Sequence, residues 1–86
     1  MEYKTKSIAS RIEWCQRQKI QARTLLEREG WQAEEEGLRD ALLNRVHTNK
    51  YLHCPPGVFK RYVIGLQDGE ALMHTAAVDQ YSQPLM

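Results

Sequence analysis

The N-terminal third of the chain carries a regular stripe of apolar positions. The stripe consists of Ile8, Ile12, Cys15, Lys19, Ala22 and Leu26. These positions recur at spacings of four and three residues, so they fall within about 40° of one line on a helical wheel. The pattern predicts an amphipathic helix over residues 5–29, interrupted only by the charge of Lys19.

A second stripe follows Gly30 with a different phase. It consists of Trp31, Leu38, Leu42 and Arg45. In one unbroken helix Leu38 would lie about 120° away from Leu26, which argues for a turn between the stripes. Gly30 suits a helix C-cap, because glycine adopts the left-handed conformation at little cost. We therefore predict a second helix over 31–48, antiparallel to the first; Gly37 is a second candidate break.

The segment Cys54-Pro55-Pro56-Gly57 interrupts any helical pattern, because two prolines and a glycine do not fit inside a helix. It predicts a proline-containing loop over 50–57. Residues 58–81 then favour one or more C-terminal helices. Several strand-favouring side chains and the turn dipeptide Asp68-Gly69 keep a β-hairpin open as the alternative. Residues 82–86 are expected to form a tail.

Length and composition place the chain among small folded domains. It has 86 residues, of which 42% are hydrophobic and 27% charged, with a net charge of +1. These values fit a single domain over 1–86. We predict an all-α fold, a small helical bundle built on the N-terminal helical hairpin. An α+β fold with a C-terminal β-hairpin around Asp68-Gly69 is the alternative.

Lys19 and Arg45 each interrupt an apolar stripe. A buried charge needs a partner or a path to solvent, because desolvation without either costs several kcal/mol. If the helices pair around Gly30, Lys19 faces the region of Glu35 and Asp40, and either carboxylate could neutralise it. The alternative is that both long side chains reach outward to water.

Bulky side chains also lie off the first stripe, and two helices alone would leave them exposed. Trp14 and Leu25 lie on one side of that stripe and Ile20 on the other. Exposed tryptophan, tyrosine and arginine are typical of protein interfaces. The candidate protein-binding residues are Trp14, Lys19, Leu25, Trp31, Arg45 and Tyr51.

No residue pattern in the chain matches a known catalytic, metal or cofactor site. The histidines and cysteines lack the paired short spacings of zinc sites. His53 and Cys54 are sequence neighbours, which rarely adopt the geometry of a nucleophile and its base. We interpret Glu34-Glu35-Glu36 as a solvated first helical turn. The sequence predicts no enzyme activity, no catalytic or metal site, no cofactor and no small-molecule substrate.

The basic residues of the first helix provide a second functional hypothesis. The candidate nucleic-acid-binding residues are Arg11, Arg17, Arg23 and Arg28. They are spread around the helix rather than gathered on one face, which disfavours phosphate binding.

The sequence also lacks the apolar runs of a membrane span or a signal peptide. We therefore expect a cytoplasmic, non-enzymatic protein-binding module, such as an adaptor, inhibitor or chaperone-like regulator. Its partner would be another protein or a second copy in a homodimer. Nucleic-acid binding is the alternative.

Overall fold

A computed structural model describes the backbone of residues 3–82 and the side chains of residues 8–74. The helices of this part are α1 (Tyr3–Gln21), α2 (Leu25–Leu42), α3 (Thr48–Tyr51) and α4 (Pro56–Ser82). The predicted all-α bundle is confirmed. The alternative β-hairpin around Asp68-Gly69 is wrong, because both residues lie inside α4 and no strand occurs between residues 3 and 82. The predicted tail beyond Ser82 lies outside the described residues.

The turn between α1 and α2 lies earlier than the sequence predicted. Thr24 has an extended backbone and caps α2: its hydroxyl accepts a hydrogen bond from the Glu27 N–H at 3.0 Å. The Glu27 carboxylate in turn accepts from the Thr24 N–H at 3.2 Å. This capping box satisfies the free donors of the helix start. The predicted helix over 5–29 therefore ends at Gln21, and Gly30 lies buried inside α2 rather than at a C-cap.

The second helix ends at Leu42 rather than at residue 48, because Asn44 adopts a left-handed conformation with a φ of 56°. The Arg45 N–H then bonds to the Asp40 carbonyl at 2.9 Å, and the Asn44 N–H to the Ala41 carbonyl at 3.3 Å. These two bonds form the Schellman arrangement. Arg45 consequently lies beyond the end of α2, not in the apolar stripe of that helix as predicted.

Residues 43–55, which include the short α3, run back along α2 to the start of α4. We name them the return segment. The two tyrosines Tyr51 and Tyr62 stack with ring centroids 4.7 Å apart and hold this return segment. The helix α4 begins at Pro56, a position where proline is tolerated because the first N–H groups of a helix lack internal partners. As a result, α2 and α4 run parallel, and α1 lies antiparallel to α2.

Glycines bring α2 and α4 into backbone contact. A Cβ atom at Gly65 would lie 2.9 Å from the Glu34 carbonyl carbon, and a Cβ at Gly37 would lie 2.6 Å from the Leu66 nitrogen. Real Cβ atoms do not approach other atoms so closely. The pair Gly65 and Gly69 has the small-xxx-small spacing that permits close helix packing. The close approach aligns the acidic run of α2 with the face of α4 that carries Arg61.

The core contains only part of the predicted apolar stripes. Ile8, Ile12, Cys15 and Leu38 form one buried cluster, as their spacing predicts. Leu26 and Leu42 are instead 56% and 44% exposed, because α1 ends before Leu26 and Leu42 is the last residue of α2. These two positions of the predicted stripes therefore lie outside the core. Within residues 3–82, no helix is both long and apolar enough to cross a membrane.

Candidate functional site

The acidic run of α2 lies inside the bundle, not in a solvated first turn as the sequence suggested. Glu34 and Glu35 are 2% and 6% exposed, and Asp40 is fully buried. Because α2 begins at Leu25, the run falls at the middle of the helix, between α1 and α4. Buried carboxylates require charged or hydrogen-bonding partners, and the neighbouring elements supply them.

Glu34 is held between two arginines from different helices. Its carboxylate accepts from Arg61 at 2.8 Å and from Arg11 at 3.0 Å. Arg11 also donates to Asp68 of α4 at 3.1 Å, so this ion-pair group ties all three long helices together. Burial and the nearby Glu34 carboxylate raise the pKa of the Cys15 thiol to about 12. This thiol is therefore protonated and unreactive at neutral pH.

Glu35 neutralises Lys19, as the sequence predicted for one of two carboxylates. The ammonium lies 3.5 Å from the Glu35 carboxylate and donates to the side chain of Gln32 at 2.6 Å. Glu35 also accepts from Arg39 at 3.0 Å and from Gln16 at 3.2 Å. The charge of Lys19 within the apolar stripe of α1 thus marks a group of polar contacts between α1 and α2.

Asp40 anchors the return connection after α2. Its carboxylate accepts from the Tyr62 hydroxyl at 2.7 Å, from Arg45 at 2.9 Å, and lies 2.8 Å from Nδ1 of His47. Burial raises the pKa of Asp40, but these hydrogen bonds outweigh burial and hold the pKa below its ordinary value. Burial and the bond to Asp40 raise the pKa of Tyr62 to about 12. Asp40 is therefore ionised and Tyr62 protonated at neutral pH.

Glu36, Asp40 and His47 bring three possible metal-ligand atoms within 4.8 Å of one another. Their charges are already balanced, since Lys50 donates to Glu36 at 3.0 Å and Arg45 to Asp40. A divalent cation would compete with Lys50 and Arg45 for these two carboxylates. The cluster is best described as an ion-pair network that fastens the return segment to α2.

The two tryptophans, one from α1 and one from α2, contact each other beside Arg61 of α4. Their rings are edge-on with centroids 5.0 Å apart, and Trp14 remains 38% exposed. The Arg61 guanidinium lies 4.1 Å from the Trp31 centroid, and the Arg11 guanidinium 5.6 Å from that of Trp14. This arrangement exposes an aromatic edge while both arginines are engaged with carboxylates below it.

The closed end of the hairpin exposes large apolar side chains. Ile20 is 79% exposed and Leu25 is 69% exposed, on either side of the turn. Between α1 and α2 lies an open groove of about 560 Å³. We name it the hairpin groove; it is lined by Lys19, Ile20, Arg28, Glu29 and Gln32.

Comparison with protein-family models, curated proteins and solved structures finds no match for this chain.

The candidate protein-binding residues do not form one surface. Trp14 and Trp31 lie together, and Lys19 and Leu25 lie near the hairpin groove. Arg45 is half-exposed and paired with Asp40 at the other end of α2. Tyr51 is buried, stacked on Tyr62, and donates its hydroxyl hydrogen bond to Glu36, so it offers little to a partner.

The arginines proposed for nucleic-acid binding also separate. Arg11 is engaged by Glu34 and Asp68. Arg17, Arg23 and Arg28 are exposed, and none has an ion pair among the side chains described.

Sequence reasoning missed two features of this region. Ile20 lies off the stripe of α1 and lines the hairpin groove, but it is not among the predicted protein-binding residues. The spacing Thr24-x-x-Glu27 is a capping-box signature, and it would have moved the turn to residues 22–24. Leu25 would then have been placed at the start of α2, next to an exposed Ile20.

Proposed function

We propose that this chain is a non-enzymatic protein-binding module that contacts its partner through the closed end of the α1–α2 hairpin. The observation that carries the proposal is the exposure of Ile20 and Leu25 beside the hairpin groove. Single exposed apolar residues are common, but bulky ones gathered at a groove mark an interaction surface.

The side-chain contacts around the groove support this proposal. The capping box at Thr24 fixes the turn, and the contact of Lys19 with Glu35 and Gln32 fixes the floor of the groove. A binding surface that is already ordered loses little conformational entropy when a partner docks. Trp14, with its half-exposed ring, extends the available apolar surface on the other side of α1.

The proposal includes a cytoplasmic location. Cys15 and Cys54 are both free thiols, which suits a reducing compartment.

The experiment is selection of binding peptides from a random displayed library against the wild-type chain. We expect the selected peptides to lose affinity for Ile20→Glu and to keep it for Val46→Glu. Val46 is the matched control, because it is 60% exposed and lies past the opposite end of α2. Circular dichroism of both variants checks that the helices are retained. Peptides whose binding ignores Ile20 would place the surface elsewhere, and a selection that yields no binders would count against the proposal.

Nucleic-acid binding is the second candidate, favoured by three exposed arginines, Arg17, Arg23 and Arg28, for which the side chains of residues 8–74 provide no ion-pair partner. Three glutamates of the same segment, Glu13, Glu27 and Glu29, offset their charge. Phosphate binding would produce an affinity for duplex DNA that falls steeply as salt rises. Absence of binding at low salt would reject this candidate.

A further inference from the structure

We propose that the partner docking at the closed end of the hairpin is a second copy of this chain, in a two-fold symmetric dimer. This inference rests on the proposed function, because it names the partner of the same surface.

The apolar centre of this face is formed by one residue from each helix. On α2, Arg28, Glu29 and Gln32 follow Leu25 by three, four and seven residues, so the four share one helical face. On α1, Arg17 and Glu13 precede Ile20 by three and seven residues and share its face. Both faces border the hairpin groove, which Ile20, Arg28, Glu29 and Gln32 line. Ile20 and Leu25 therefore lie inside a polar rim, the usual plan of an interface.

The rim carries equal numbers of positive and negative charges. Arg17 and Arg28 oppose Glu13 and Glu29 in sign, all four are exposed, and none has an ion pair in the described part of the chain. Lys19 is paired with Glu35 between α1 and α2, so it is not one of the unpaired charges of the rim. A strongly acidic or strongly basic partner would meet as much repulsion as attraction on such a rim.

A second copy, by contrast, is complementary to this rim. A two-fold axis places the same patch on both subunits, so that if residue i contacts residue j, then j also contacts i. Arg28 and Glu29 are adjacent on the rim, and two-fold pairing across the groove can place each against its opposite on the other copy. Arg28 and Glu29 then each gain a partner, and the exposed parts of Ile20 and Leu25 are buried together.

The first test is the molar mass in solution, measured by analytical ultracentrifugation from micromolar to sub-millimolar concentrations. We expect the mass to rise from 10.0 kDa towards twice that value. Ile20→Glu and Leu25→Glu should each weaken the dimer tenfold or more, as the loss of an interface hot spot does. Val46→Glu is the control and should leave the dimer unchanged. All three positions are exposed, so the fold is retained, and circular dichroism verifies this.

Charge reversal tests the symmetry. Arg28→Glu alone makes the rim acidic and Glu29→Arg alone makes it basic, so each variant by itself should remain monomeric. Mixing the two should restore a dimer, because each copy then meets the opposite charge. Arg28→Glu combined with Glu29→Arg in one chain should also dimerise.

A wild-type chain that stays at 10.0 kDa over the whole range overturns the proposal. So does a dimer that Val46→Glu abolishes and Ile20→Glu leaves intact, or a mixture of charge variants that remains monomeric. Failure here is distinct from failure of the proposed function. A monomeric chain that still binds library peptides through Ile20 keeps its role in protein binding and loses only the assignment of the partner.

Discussion

The backbone contact between α2 and α4 leads to a prediction about Gly65→Ala. The added Cβ would lie 2.9 Å from the carbonyl carbon of Glu34 and 3.1 Å from its Cα. Ordinary carbon–carbon contacts are about 3.5–4.0 Å, so the helices would have to separate by about 0.5 Å or more. The obstacle is backbone, which cannot rotate away as a flexible side chain can.

Two effects of opposite sign decide the magnitude. Overpacking of a close-packed interface costs about 1–3 kcal/mol, and can cost more. Alanine is favoured over glycine inside a helix by up to about 1 kcal/mol. Because the obstacle is backbone, the cost lies at the upper end of this range, about 3 kcal/mol, and the helix preference offsets up to about 1 kcal/mol of it. We therefore expect Gly65→Ala to lower the free energy of unfolding by about 2–3 kcal/mol. For a domain of this size that corresponds to a fall in Tm of about 8–24 °C.

Gly57→Ala is the matched control. It adds the same methyl group to the same helix, but a Cβ there meets no atom within 4 Å. Its stability should be unchanged or raised by up to about 1 kcal/mol. The assay is urea and thermal unfolding followed by circular dichroism. If Gly65→Ala is as stable as Gly57→Ala, the close packing of α2 on α4 described above is incorrect.

Three further predictions concern the buried charges and the thiols. Glu34→Gln should lower the free energy of unfolding in urea by about 1–3 kcal/mol, because two half-exposed guanidinium groups lose their buried carboxylate partner. Glu29→Gln, at an exposed site, is the control and should change it by less than about 0.5 kcal/mol. Equal effects of the two substitutions would contradict the assignment of Glu34 as a buried ion-pair partner. The pKa of Asp40 is lower in the folded chain than in the unfolded chain, where it is about 4. Ionised Asp40 therefore contributes to the free energy of unfolding above about pH 4, and this contribution is lost as the pH falls through the folded-state pKa. In Asp40→Asn the urea midpoint of unfolding should fall less steeply as the pH is lowered than in the wild-type chain. An equally steep fall in both chains would exclude Asp40 as a source of this pH dependence. Ellman's reagent at mildly alkaline pH should modify Cys54 quickly and Cys15 only after unfolding, because Cys15 is buried and burial raises its pKa to about 12. Rapid modification of both cysteines in the folded chain would refute this prediction.

The helical class and the hairpin could be predicted from periodicity, because the apolar spacing of Ile8, Ile12 and Cys15 reflects their burial. The pairing of Lys19 with Glu35 could also be anticipated, since a charge in an apolar stripe needs a partner. Both predictions depend on local geometry that the order of residues determines directly.

The position of the turn and the burial of the acidic run were harder to predict. Gly30 resembles a helix end, but it lies buried inside α2 against the Arg61 side chain. Glu34 resembles a solvent-facing residue because its two arginine partners are distant in the sequence. Such features depend on tertiary contacts, which no local window of sequence contains.

The parallel arrangement of α2 and α4 has a consequence for how the chain acquires its structure. In the N-terminal hairpin alone, the face of α2 that contains Gly37 would be exposed to solvent, and Glu34 would lack its partner Arg61. A nascent chain released only as far as α3 therefore lacks the element that completes its interior. We expect stable tertiary order to appear as one late cooperative step, once α4 has emerged to cover α2.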